Sequence, residues 1–146
     1  MLDLILAFVV AFGLVAILLA YIDQPTEIIN DRIQVEDRLI KALEASDILL
    51  NNYGKPVSWN NINIQVPSII KSQNYIDAVK LKNFRELDYE KKKELLNLNN
   101  FNYTLIIKLN KEDIIDGINN TESEIVTVNR LALYEGEYAN VQLKIW

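Results

Sequence analysis

The sequence predicts an α+β protein. A long N-terminal helix, apolar then amphipathic, carries a small C-terminal antiparallel β-sheet head with one or two short helices. Three observations lead there. Residues 4–22 hold no charged side chain. The stretch after them repeats apolar residues at helical spacing. The last part of the chain alternates apolar and polar residues on both sides of a glycine turn. The implied division is a helix over residues 1–52 and a globular head over residues 53–146. Within the helix, 1–22 is a core-forming or membrane part and 23–52 an amphipathic part.

Composition narrows the chemistry. The chain has 146 residues and a formal net charge of -5, with no histidine and no cysteine. Disulfides, thiol catalysis and cysteine metal sites are excluded, and the commonest general base is missing. No segment is strongly basic, so nucleic acid is not an expected partner. No phosphate loop, zinc pattern or nucleophile elbow is present. The expectation is a protein that is not an enzyme and needs no cofactor.

The uncharged run opens the chain. As a helix, residues 4–22 reach roughly 29 Å, about the thickness of a bilayer's hydrocarbon core. The run is apolar on every face, which suits burial in lipid or in protein. Asp3 precedes it, Gly13 weakens it, and Asp23 closes it. No Lys or Arg stands before it, so neither a secretory signal nor a simple anchor has its usual basic flank. Pro25 then disfavours helix at Gln24, predicting a kink or short break over residues 23–26. From Ile28 to Leu49 the apolar positions Val35, Leu39 and Ala42 follow helical spacing, with Ile33, Ile40 and Leu43 alongside. Asn51, Asn52 and Gly54 stop the helix.

The head begins with a turn around Gly54 and Pro56, with Trp59 as an apolar anchor. Residues 62–66 alternate and end at Pro67, which reads as an edge strand. Asp88 is a good N-cap for a helix to Leu98. Residues 103–109 form a strand, and residues 114–117 a turn or scrap of helix. Residues 124–134 and 138–146 are the arms of a β-hairpin about Glu135-Gly136-Glu137. On the second arm Val141, Leu143 and Ile145 face inward, while Asn140, Gln142 and Lys144 face water.

The order of uncharged run, acid near the terminus, Gly13 and Gln24-Pro25 resembles the archaeal branch of the type IV pilin superfamily. In the head, Gly54-x-Pro56-x-x-Trp59, Arg130 on a late strand and Trp146 resemble archaeal pilin-like proteins. The chain departs from the family pattern by having Ile5 where many members carry glutamate. The resemblance implies a mature subunit whose short basic leader a prepilin peptidase has removed. It implies insertion in the cytoplasmic membrane first. Assembly machinery then builds an extracellular homopolymer with the helices in its core and the heads exposed for adhesion. The implied assembly residues are Asp3, Leu4, Phe8, Phe12, Gly13, Leu14, Leu18 and Pro25. Asp3 would pair with a neighbour's terminal amine. The alternative is a single-pass anchored or minor pilin-like binding protein that does not form the bulk filament.

Other polar clusters have plainer readings. Asp113, Asp116, Glu122 and Glu124 could gather oxygen ligands for calcium but lack EF-hand spacing; a solvated acidic loop is the simpler account. Lys91, Lys92 and Lys93 read as a solvated helix face. Asn102 and Asn119 open N-x-T glycan acceptor patterns, so attached glycans are a candidate partner chemistry, with Asn119 in the more polar loop.

Overall fold

The computed structural model describes the backbone of residues 2–119 and 124–146. It describes their side chains apart from Leu2, Leu4 and residues 20–31. The elements are α1 (Leu2–Leu50), β1 (Ile70–Ser72), β2 (Tyr75–Ile76), α2 (Ala78–Glu86), α3 (Tyr89–Leu95), β3 (Tyr103–Lys108), β4 (Ile114–Gly117), β5 (Val126–Tyr134) and β6 (Glu137–Ile145). Two compact units result, Met1–Glu36 and Asp37–Trp146.

The first unit is helical. The helix assignment runs through Pro25, so the predicted break over residues 23–26 is not found. Proline removes one backbone donor, and a helix survives that loss when the turns on either side remain bonded. The side chains of Leu4 and Pro25 lie outside the described residues. The expected apolar helix of bilayer length needs correcting as well. Among the described residues no helix is long and apolar enough to cross a membrane.

The second unit is one sheet with helices on one side. Strand order is β1-β2-β5-β6-β3-β4. All ladders are antiparallel except β2–β5, which is parallel. The expected small antiparallel sheet of about four strands is therefore a mixed sheet of six. The additions are short. β2 has two residues, and the four residues of β4 stand where a turn was predicted. Neither is long enough to show an alternating pattern. The predicted strand over 62–66 is absent. Lys55 and Val66 form only an isolated bridge, because the Asn60 side chain turns the chain by accepting from Ile62 N and Asn63 N.

The hairpin forms as its pattern requires. Glu135 and Gly136 both take left-handed φ, 51° and 88°, the two-residue turn whose twist matches the strands beside it. Inward-facing Val128, Ala132, Ala139, Val141, Leu143 and Ile145 are buried. On this side lie Ala42, Ala45, Leu49 and Leu50 of α1, Leu81 and Phe84 of α2, and Leu96 and Leu98 after α3. Burial on α1 thus concentrates in its last turns, while Ile33, Val35, Leu39, Ile40 and Leu43 stay exposed. Asp77 and Asp88 start α2 and α3 by accepting two backbone N–H groups each.

Gly54 shows why the turn after α1 needs glycine. Its φ is +81°, and a Cβ there would stand 2.6 Å from the Trp59 ring. Trp59 is buried and donates its indole N–H to Ser68 O at 3.1 Å. The Ser68 hydroxyl in turn donates to Asn52 O. Ring, glycine and serine lock the exit of α1 to the strand side of the head.

Candidate functional site

Three places in the chain hold chemistry beyond packing, and each is built by a different local device.

The first is the apolar surface of α1. Phe8, Phe12, Leu14 and Leu18 are 66%, 73%, 57% and 61% exposed. Ala7 and Ala11 sit one turn apart between Phe8, Phe12 and Val15, and together these five line a shallow groove of about 300 Å³. Nothing lies within 4 Å of where a Gly13 Cβ would be, so this glycine answers to no crowding within the chain. Asp3 is exposed in the first turn of α1, where a carboxylate favours the positive end of the helix dipole. Of the residues singled out for assembly, Asp3, Phe8, Phe12, Gly13, Leu14 and Leu18 all lie on this exposed segment. A helix apolar on every face is the kind that lipid or protein ordinarily buries.

The second is a buried polar cluster that the sequence did not reveal. Lys92 Nζ stands 2.6 Å from Asp116 Oδ1, with both side chains nearly sealed from water. Tyr103 donates its hydroxyl to Asp116 Oδ2 at 3.2 Å, and Lys92 also donates to Arg85 O at 3.1 Å. Tyr89 stacks on Tyr103 with ring centroids 5.2 Å apart, and its hydroxyl accepts from Tyr103 N. Burial, reinforced by the Asp116 charge and hydrogen bond, pushes the Tyr103 phenol far above its ordinary range. Burial raises Tyr89 as well. Both Asp116 oxygens are occupied, so the carboxylate is not a free general base. The cluster pins α3 to β3 and β4. Two sequence readings are corrected here. Lys92 and Lys93 are buried instead of forming a solvated face, and Asp116 belongs to an ion pair instead of an acidic loop. Among the described residues no group of acids is placed to hold a metal ion; Glu122 lies outside them.

The third is Lys80. Its ammonium donates to Tyr53 O at 2.8 Å and to Ile70 O at 2.9 Å. Burial lowers its pKa, and the nearby Asp77 opposes that shift. The pair of bonds ties the loop after α1 to β1. Beside it lies an open groove of about 480 Å³ bordered by Trp59, Asn60, Lys71, Asp77 and Asn83.

The head's remaining marked residues are ordered by the same sheet. Arg130 reaches from β5 to α1, with Nη2 2.8 Å from Asp47 Oδ1 and Nε donating to Ser46 Oγ at 3.3 Å. Trp146 and Asn102 exchange two backbone hydrogen bonds. Of the glycan acceptor candidates, Asn102 is half-buried, and the Thr104 of its pattern is buried with its hydroxyl donated to Ile118 O. Asn119 is exposed; the Thr121 of its pattern lies outside the described residues.

No protein-family model matches the chain, and neither a curated protein nor a solved structure is similar to it.

Proposed function

We propose that the chain is a structural subunit of an extracellular filament of the type IV pilus kind. The segment over residues 5–19 packs against the same segment of other copies in the filament core. The heads line the outside and attach to surfaces. The partners are then further copies of the same chain, together with the peptidase and assembly machinery that such filaments use. No step of this role calls for catalysis.

One observation carries the reading. From Ile5 to Leu19 the large apolar side chains are 52–73% exposed, and their exposure runs round the whole helix. Fully burying a Leu, Ile or Phe side chain contributes about 1.5–3 kcal/mol. A bundle of copies therefore gains strongly from hiding this segment, and a helix with several neighbours needs an apolar surface on all sides. Asp3 supplies the constraint on register, because a carboxylate entering such a core is unfavourable unless a cation meets it.

The test is to shear the cells, collect the released material and image it. Filaments built from this subunit, with residues 5–19 inside, are expected. Phe8→Asp with Phe12→Asp should abolish filaments while leaving a folded head. Asp3→Ala should lower filament yield with the same head spectrum. A subunit that stays with the cell membranes, or a Phe8/Phe12 variant that still assembles, sinks the reading and favours an anchored binding protein.

A further inference from the structure

Among the described residues, no helix covers the second face of the sheet. Residues directly opposite one another across a ladder point to the same side, so the printed registers define this face in rows. Thr127, Lys144 and Thr104 form one row; Asn129, Gln142 and Ile106 the next; Leu131, Asn140 and Lys108 a third. Ile115 extends the second row onto β4. At the hairpin end, Tyr138 stands opposite Leu133, which neighbours Tyr75 across the parallel ladder.

Two properties set this face apart. Leu131 and Tyr138 are 73% and 79% exposed, large apolar bodies on an open surface. And not one of these positions is Asp or Glu, in a chain whose net charge is -5. An acid directly opposite a lysine across a ladder is stabilising. Lys144 instead stands between two threonines, and Lys108 opposite an asparagine. Among the described residues, neither makes an ion pair, and nor does Lys71, whose ammonium lies 4.1 Å from the Tyr75 ring centre at the margin.

We infer that the outer face of β2–β6 is a docking surface for an acidic polysaccharide. Each part of the chemistry selects for that occupant. Unpaired lysines attract carboxylate groups spaced along a chain. The amides of Asn129, Asn140 and Gln142 both donate and accept, which suits hydroxyl groups. Tyr138 and Leu131 offer apolar faces to the carbon side of a sugar ring, and the tyrosine keeps a polar tip. A duplex or single-stranded nucleic acid demands a far denser basic surface than two or three lysines on an acidic protein. Thr104 is buried and Asn140, Gln142 and Lys144 are half-buried, while Thr127, Asn129, Leu131, Lys108 and Tyr138 are exposed; this strip without an enclosed cavity fits an extended polymer better than a small molecule.

The experiment uses the full chain dispersed in non-ionic detergent, so that binding is read without polymerisation and stands apart from the filament reading. Alginate is the acidic probe and dextran the neutral one, in affinity electrophoresis. The expected result is retardation by alginate, relieved by salt, with little by dextran. Lys108→Glu with Lys144→Glu should weaken it by at least about tenfold, as removal of complementary charge does. Lys108→Gln with Lys144→Gln should weaken it too, in case the charge reversal disturbs folding. Tyr138→Ser should also weaken it, while Lys82→Glu with Lys91→Glu, which changes charge equally on α2 and α3, should leave it within about twofold. Absence of retardation, equal retention by dextran or by a DNA oligonucleotide, or an equal loss in the Lys82/Lys91 variant would overturn the inference.

Discussion

At the scale of single residues, the head depends on a few atoms placed against strong penalties. Gly54→Ala would force a side chain into a left-handed backbone and into the Trp59 ring at once. A loss of about 2–4 kcal/mol is expected, read as a lower urea midpoint with the slope unchanged. The buried ion pair makes an asymmetric prediction. Asp116→Ala strands the Lys92 ammonium among apolar groups and should cost about 3–5 kcal/mol. Pairing Lys92→Met with Asp116→Leu removes both charges, and most of that loss should be recovered. A double variant as unstable as the single one would show that the pair is needed for more than mutual neutralisation. Alkaline pH tests the tyrosines. Tyr103 and Tyr89 have folded values above the ordinary 10.0, so the folded state holds protons that the unfolded state releases. Their contribution is complete below about pH 10 and is lost as pH climbs beyond it. Phenolate absorbance should rise together with unfolding, and Tyr103→Phe should flatten that pH dependence. Gly54 and Trp59 are marked in the sequence as a turn and its anchor, but neither member of the buried ion pair is. Lys92 stands in a run of three lysines, and Asp116 beside a glycine in a polar loop. Burial of such side chains is decided by strands and helices that meet from distant parts of the chain.

Individual elements are legible in proportion to their length and sidedness. The β5–β6 hairpin has nine-residue arms, strict alternation and a glycine at its turn, so its register follows from pattern alone. Asp88 marks the start of α3 because N-cap chemistry is local. β2 and β4 escape because two or four residues hold no period, and their pairing is fixed by neighbours. The stretch over 62–66 misleads in the opposite sense. It alternates, yet Asn60 offers the backbone closer partners than a sheet edge does. For α1, the apolar run over residues 4–22 is plain in the sequence, as is its all-round character. The docking turns near Ala42, Ala45 and Leu49 were partly hidden, because exposed Leu39, Ile40 and Leu43 compete for the same helical stripe. The hairpin turn offers a prediction at this scale. Gly136→Ala at φ +88° should cost about 1 kcal/mol, seen as a fall of several degrees in the melting temperature of the head. An unchanged melt would mean that the turn relaxes to another form.

The whole molecule divides its labour between two units with opposite demands. Asp37–Trp146 owns the sheet, its helices and the buried cluster, whereas residues 5–19 carry exposed apolar side chains. A fragment beginning at Asp37 is expected to fold alone, with cooperative melting and no assembly. The full chain should associate unless detergent covers residues 5–19. A fragment that melts without cooperativity would show that the head borrows stability from the rest of α1. The proposed polysaccharide surface and the proposed filament-core surface share no residue, so variants of one should leave the other intact. The parallel ladder between β2 and β5 joins segments far apart in the chain. The β5–β6 hairpin closes a two-residue loop, while Ile76 must find Tyr134 across most of the head. Local closure is quick and distant closure slow. The hairpin is therefore expected to form early, and the β1–β2 ribbon to join the sheet after it. By the same logic that ribbon is the first to let go, and its amides should exchange with solvent well before those of the central strands.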